Sequence, residues 1–172
     1  MRFRGTAYRA HNPAWAFEPL SGDGAAIHGG RFNLKGMPAL YLALDLSTAI
    51  LEANQGLAHK LDPCTVCAYE VDCEPIGDLR DDSGRTHHSV KLADMKCAWL
   101  ALAKAGKTPP SWEIATRLTA KGFAGILAPS FANRAPAGAT NLVLWNWGRD
   151  LPHRVTVSDP SGKLPRNQLS WK

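Results

Sequence analysis

No apolar run in this chain approaches the roughly 20 residues that a membrane-spanning helix needs. The basic opening MRFRGTAYRAHNP is not followed by the apolar stretch of a secretory signal, so a cytoplasmic protein is expected. Nucleophile-elbow GxSxG is absent, which removes the usual serine-hydrolase layout. The glycines of GGRFN do not open a helix, so they are not a Rossmann dinucleotide fingerprint. Neither a zinc-finger nor a helix-turn-helix signature is present, and no internal repeat or dividing linker is visible.

Cysteine is scarce as well. Of four cysteines, Cys64 and Cys67 form a CxxC, but no second CxxC or HxxxH supplies the remaining ligands of a zinc site. TVCAYEV alternates and is rich in β-formers, so it reads as a strand with Cys67, Tyr69, Val71 and Cys73 on one buried face. Buried free thiols are expected, and no metal.

What is present is ordinary for a globular chain. The 172 residues suit one domain with its own core, at 45% hydrophobic and 20% charged. Net charge is +5, concentrated at Arg2, Arg4 and Arg9 and again at Arg149, Arg154, Lys163, Arg166 and Lys172. Solvated surface accounts for such a balance; so does an anionic partner, whether nucleotide, nucleic acid or acidic protein. The basic stretches are not interleaved with aromatics, which speaks against single-stranded nucleic acid.

Strands are expected at GTAYRAH, ALYLAL, TVCAYEV, FAGILAP and NLVLWNW. Residues 14 to 30 read as a folded glycine-rich loop over a pocket, carrying Trp15, Phe17 and Leu20. Asp45 or Ser47 caps a helix through Glu52. Residues 75 to 89 read as an irregular connection, Val90 to Ala105 as one helix, and WEIATRLTAKG as another, capped by Ser111 and stopped by Gly122. The remainder, about 150 to 172, reads as a proline-broken basic tail. Strands and helices do not alternate regularly, which disfavours a doubly wound parallel sheet and leaves an α+β chain with a mixed β core flanked by helices.

The densest chemistry lies in HGGRFNLKGMPALYLALDLSTAILE, from His28 to Glu52. Arg31 follows two glycines that allow close backbone approach, and its planar fork of donors grips phosphate. Tyr41 sits in an apolar strand, where its ring can be core or a stacking surface. Glu52 is a lone carboxylate on an otherwise apolar helix, suited to steadying positive charge on a sugar. Together these three meet the needs of a site that breaks the nicotinamide–ribose bond of NAD. Arg9 is open between a second phosphate or ribose contact and a structural pairing. Ser130, at a strand exit, either closes a turn or holds an amide or phosphate, and Asn141 either caps a turn or bonds Ser130. His28 and the pair His87–His88 read as polar loop residues.

YRAHNP, GGRFN, LYLAL, the helix with Glu52, GILAPSFANR and NLVLWNW occur in that order from residue 8 to 147. The sequence resembles the RES-domain family, toxins of bacterial toxin–antitoxin pairs named for an arginine, a glutamate and a serine. On the resemblance these are Arg31, Glu52 and Ser130, with Tyr41 and Asn141 as further matching positions. Phe32 stands where many members carry tryptophan. The resemblance implies a single domain over 1 to 172 with a fold like that of ADP-ribosylating toxins. It implies NAD as a consumed substrate and no retained cofactor. Mono-ADP-ribosyl transfer to a protein ranks first, ahead of NAD degradation with water or phosphate as acceptor; a non-catalytic nucleic-acid-binding module is a remote alternative. The expected partner is an antitoxin of the Xre helix-turn-helix type that blocks the NAD cleft.

Overall fold

The computed structural model describes residues 1–54 and 63–171. Seven strands form one sheet: β1 (Phe3–His11), β2 (Leu40–Ala43), β3 (Thr65–Cys73), β4 (Ile76–Asp78), β5 (Gly125–Pro129), β6 (Thr140–Leu144) and β7 (His153–Val157). Their order across the sheet is β4-β5-β6-β2-β1-β3-β7, with β4 and β5 parallel and every other neighbouring pair antiparallel. The helices are α1 (Asp23–His28), α2 (Leu46–Ala53), α3 (Asp82–His87), α4 (Leu92–Met95), α5 (Trp99–Lys104) and α6 (Pro110–Ala120). This is the expected α+β architecture. Among the described residues no helix is long and apolar enough to cross a membrane.

Strand alternation divides the core in two. On β6, Leu142 and Leu144 join a cluster with Leu40, Leu42, Tyr69, Val71 and Val155, linking the β5-β6-β2 half to the β1-β3-β7 half. Val143 and Trp145 turn to the other face and pack with Phe32, Met95, Ile114 and Leu118 under the helices. Cys67, Tyr69, Val71 and Cys73 are all buried on one face of β3, as their spacing requires.

The two halves of the sheet are joined unevenly. β1 pairs with β3 over nine positions, whereas β1 and β2 meet at one, Tyr8 opposite Ala43. The sheet therefore opens between β1 and β2, and α2 packs across both strands beside that opening.

Several local expectations need correcting. The 14–30 segment is not all loop: a 3-10 turn spans Pro13–Trp15, capped by Asn12, and α1 follows. The 75–89 connection contains β4 and α3, the latter capped by Asp81 Oδ1 on the Gly84 amide at 2.8 Å. The 90–105 helix is broken into α4 and α5 at Lys96–Ala98. Pro109, not Ser111, occupies the cap position of α6; Ser111 is buried, with the Cys97 thiol donating to its hydroxyl at 3.3 Å. The basic tail contributes β7, and Arg154 on β7 joins Arg2 on the carboxylate of Asp72. Part of the terminal positive charge is thus spent inside the fold.

Candidate active site

Glu52 is carried by the last turn of α2. Asp45 starts that helix, accepting from the Thr48 amide at 2.8 Å and from the hydroxyls of Ser47 and Thr48 at 2.6 Å each. Those hydroxyl bonds, the one from Ser47 foremost, hold the Asp45 carboxyl below the usual carboxylate range. Ala49 lies three residues before Glu52, so both occupy the helix face turned to the opening in the sheet.

Two strands on the far side of the opening reach Glu52. Ser130, just after β5, donates from Oγ to Glu52 Oε1 at 2.6 Å, and Asn141 on β6 donates from Nδ2 to the same oxygen at 2.5 Å. Ser130 Oγ also accepts the Ala132 amide at 3.2 Å, which fixes the hydroxyl toward Glu52. The Oδ1 of Asn141 is buried and has no hydrogen-bond partner among the described residues. One carboxylate oxygen therefore gathers donors from two strands, which fixes the orientation of the glutamate.

The cleft has two lobes that share Arg9, Tyr41, Glu52 and Asn141. The smaller, about 150 Å³, is walled by Ala10, Leu42, Ala43 and Ala49. The larger, about 330 Å³, runs past Gly29, Gly30 and Arg31 to Trp99 and Phe131. Among the described residues Glu52 is the only carboxylate lining either lobe.

Arg31 crosses the larger lobe. Its Nη1 donates to the carbonyls of Met95 and Cys97 at 3.0 and 2.9 Å, and its guanidinium carbon lies 4.9 Å from the centre of the Phe131 ring. Partial burial lowers its pKa from the ordinary arginine value, and among the described residues no carboxylate forms an ion pair with it. A cation so placed can attract an anion into the lobe. The break between α4 and α5 exposes the very carbonyls it binds.

Arg9, on β1, donates from Nη1 to the carbonyls of Pro19 and Ser21 at 3.1 and 3.0 Å, and Tyr69 Oη donates to the Pro19 carbonyl at 2.8 Å. Its structural partner is thus a loop backbone and not a carboxylate, while the residue still lines both lobes. Tyr41 presents its side chain to both lobes, but its hydroxyl is occupied: it accepts the Phe32 amide at 2.9 Å and donates to Asn33 Oδ1 at 2.8 Å. Burial pushes its pKa well above the ordinary phenol value, so the phenol keeps its proton at neutral pH.

The histidines stand apart. His28 ends α1 and is exposed, the rings of His87 and His88 pack on each other, and His88 also packs on Phe123; none of the three lines the cleft. Among the described residues no three His, Cys, Asp or Glu side chains cluster as a metal would require. All four cysteines are free thiols. Sequence reasoning missed Asn33, Trp99 and Phe131. Asn33 stood in plain view, two residues after the arginine in a turn.

A family model described as the RES domain matches residues 6–167. The chain belongs to the RES-domain family. Comparison with curated proteins gives no match. Seven chains of solved structures are similar. One of them, from the M. tuberculosis MbcT–MbcA toxin–antitoxin complex, has a TM-score of 0.66 at 20% identity, with 92% of this chain and 84% of that chain covered. At that identity the likeness establishes a shared fold. In this RES domain Arg31 and Glu52 line the larger lobe, and Ser130 reaches Glu52 from beside it.

Proposed function

We propose that this RES domain is an NAD-consuming toxin that cleaves the nicotinamide–ribose bond. The observation that carries the reading is the pairing, in one cleft, of a single two-donor-held carboxylate with an arginine lacking a carboxylate partner among the described residues. Arg31 takes the pyrophosphate, with Arg9 as a second contact near the ribose. The Tyr41 ring packs against the nicotinamide or ribose. As the C1′–N bond breaks, its electron pair passes to the cationic pyridinium nitrogen, and nicotinamide leaves neutral without needing an acid. Positive charge builds on the ribosyl carbon, and Glu52 steadies it. Ser130 and Asn141 keep the glutamate aimed. Positioning and electrostatics do the work.

The acceptor is the finer question. Resemblance ranks transfer to a protein side chain first, but a transferase would use a second acidic or amide group two positions before the glutamate. Ile50 stands there, and among the described residues Glu52 is the only carboxylate lining the cleft. That absence favours a small acceptor, water or inorganic phosphate. Phosphate is already an anionic oxygen nucleophile and needs no base, and Arg9 and Arg31 attract it.

Incubation of the purified protein with labelled NAD tests both points. Nicotinamide release is expected, with label recovered as free ADP-ribose or its phosphorylated form. Label held by a discrete protein band after denaturing electrophoresis of a lysate reaction restores protein transfer. No release with water, phosphate or lysate overturns the reading.

The M. tuberculosis chain of similar fold belongs to a toxin–antitoxin complex. By the same reading, this chain is restrained by a separate antitoxin, expected to be of the Xre helix-turn-helix type, that occupies the cleft. A carboxylate presented to Arg31 is the simplest plug, and net charge of +5 speeds encounter with an acidic partner. Antitoxin and NAD should then exclude each other, and Arg31→Ala should weaken both. Unchanged NAD affinity in the antitoxin complex would refute occlusion.

A further inference from the structure

The segment Gly30–Asn33 is held from several sides, and each of the two peptides that flank Arg31 carries a side-chain hydrogen bond. Before it, the carbonyl of Gly30 accepts from Trp112 Nε1 at 2.7 Å. After it, the carbonyl of Phe32 accepts from Trp145 Nε1 at 2.7 Å, and the amide of Phe32 donates to Tyr41 Oη at 2.9 Å. Tyr41 Oη in turn donates to Asn33 Oδ1 at 2.8 Å. Asn33 is wholly buried, and its Nδ2 donates to the carbonyls of Ala25, Leu34 and Met37 at 2.8, 3.2 and 2.9 Å. One amide thus ties α1, the turn after Arg31 and strand β2 together.

Gly30 completes the device. A Cβ at that position would fall 2.5 Å from both Asn33 Oδ1 and Tyr41 Oη, so the bond between them runs through the space a side chain would take. The second glycine of GGRFN is thereby required by a neighbour's hydrogen bond and not by its own backbone angles.

We infer that Asn33 and the hydroxyl of Tyr41 are positioning residues for Arg31, setting where its guanidinium meets an anionic ligand. This rests on the reading of Arg31 as the pyrophosphate receptor. The argument is one of reach. Arginine has a long, rotamer-rich side chain, and holding it over a ligand costs conformational freedom unless its base is rigid. Here the peptides on both sides of its Cα are fixed by the Trp112 indole and the Tyr41 phenol, the next peptide by the Trp145 indole, and its far end by the Met95 and Cys97 carbonyls. The Tyr41 side chain therefore has two separable parts: a ring face on the cleft and a hydroxyl that acts only through the arginine turn.

Tyr41→Phe separates them, because it keeps the ring and removes both hydroxyl bonds. The expected result is about tenfold weaker binding of NAD and of ADP-ribose, the size of one to two lost hydrogen bonds at a buried site. KM should rise by a larger factor than kcat falls. In an Arg31→Ala background the same substitution should change affinity by less than about twofold, since its effect travels through the arginine. A purely structural role would lower the melting temperature and leave the two factors additive, which overturns the inference. So does Tyr41→Phe with wild-type affinity, which would leave the ring alone as the functional part. If the unsubstituted protein binds neither NAD nor ADP-ribose, the functional reading fails, a result distinguishable from failure of the positioning role.

Discussion

Ser130 Oγ lies 2.6 Å from Glu52 Oε1, so the exit of β5 and the last turn of α2 are fastened together at a carboxylate that lines the cleft. The serine is an orienting donor to the glutamate.

Glu52→Gln keeps the shape and the ability to accept from Ser130 and Asn141 but removes the charge. NAD cleavage is expected to fall by about 100-fold or more, the scale of losing one preorganised electrostatic group. Melting temperature should change little. Nicotinamide release under saturating NAD, with a thermal unfolding scan in parallel, measures both; activity within a few-fold of wild type would remove Glu52 from the chemistry.

Ser130→Ala and Asn141→Ala should each cost about tenfold in kcat, because each removes a donor from Oε1. The double variant should fall short of the product of the two, since both act on the same oxygen. Asn141→Asp is expected to be worse than Asn141→Ala, as it sets a second negative charge beside the first. Single-turnover kinetics on the four proteins would show this order or break it.

Arg31→Lys is not a conservative change here. Lysine has a compact ammonium in place of the fork that reaches two carbonyls and a Phe131 face at once. Affinity for ADP-ribose should drop by about tenfold or more, given the worth of a charge-assisted hydrogen bond. Isothermal titration of each protein with ADP-ribose gives the comparison.

Gly30→Ala should destabilise the fold by about 1–3 kcal/mol through overpacking against Asn33 and Tyr41. Gly24→Ala, where a Cβ would meet nothing within 4 Å, serves as the control and should be neutral or mildly stabilising. Urea unfolding of the two variants decides; equal midpoints would mean that the turn yields easily.

Stability should fall on acidification from about pH 6.5 to about pH 4, in part through His11. Burial, and then the nearby Arg9 cation, push its pKa from 6.5 down to about 4. Its Nε2 lies 3.7 Å from the Cys67 sulfur. Between those values the unfolded chain binds a proton that the folded chain does not, so lowering the pH favours unfolding; above about 6.5 both states are neutral and the slope vanishes. Melting temperature followed across this window should decline less steeply in His11→Gln than in the wild type. Identical slopes would assign the effect to other groups, of which His88, also lowered by burial, is the first to consider.

Much of this site was legible in order along the chain, because strand alternation and the Asp45 cap are local signals. The periodicity of TVCAYEV placed Cys67, Tyr69, Val71 and Cys73 on one buried face, as found. The 90–105 helix shows where local signals end. Leu92, Met95, Trp99 and Leu102 keep helical spacing, yet the helix breaks where the Met95 and Cys97 carbonyls turn to Arg31, which lies more than sixty residues earlier. Strand β7 was hidden for a similar reason: its support is the pairing with β3 and the Asp72 carboxylate, not its own sequence. Tyr41 was identified by its ring, but only the fold reveals that its hydroxyl is committed to Phe32 and Asn33.

The single rung between β1 and β2 has a consequence for inhibition. A cleft that opens where two strands part is bordered by peptide groups that do not pair with one another across the gap. A molecule that bridged those edges with its own donors and acceptors would bind main chain, which no point substitution deletes. Such a ligand would be harder to escape by mutation than one that relies on Arg31 or Glu52 alone.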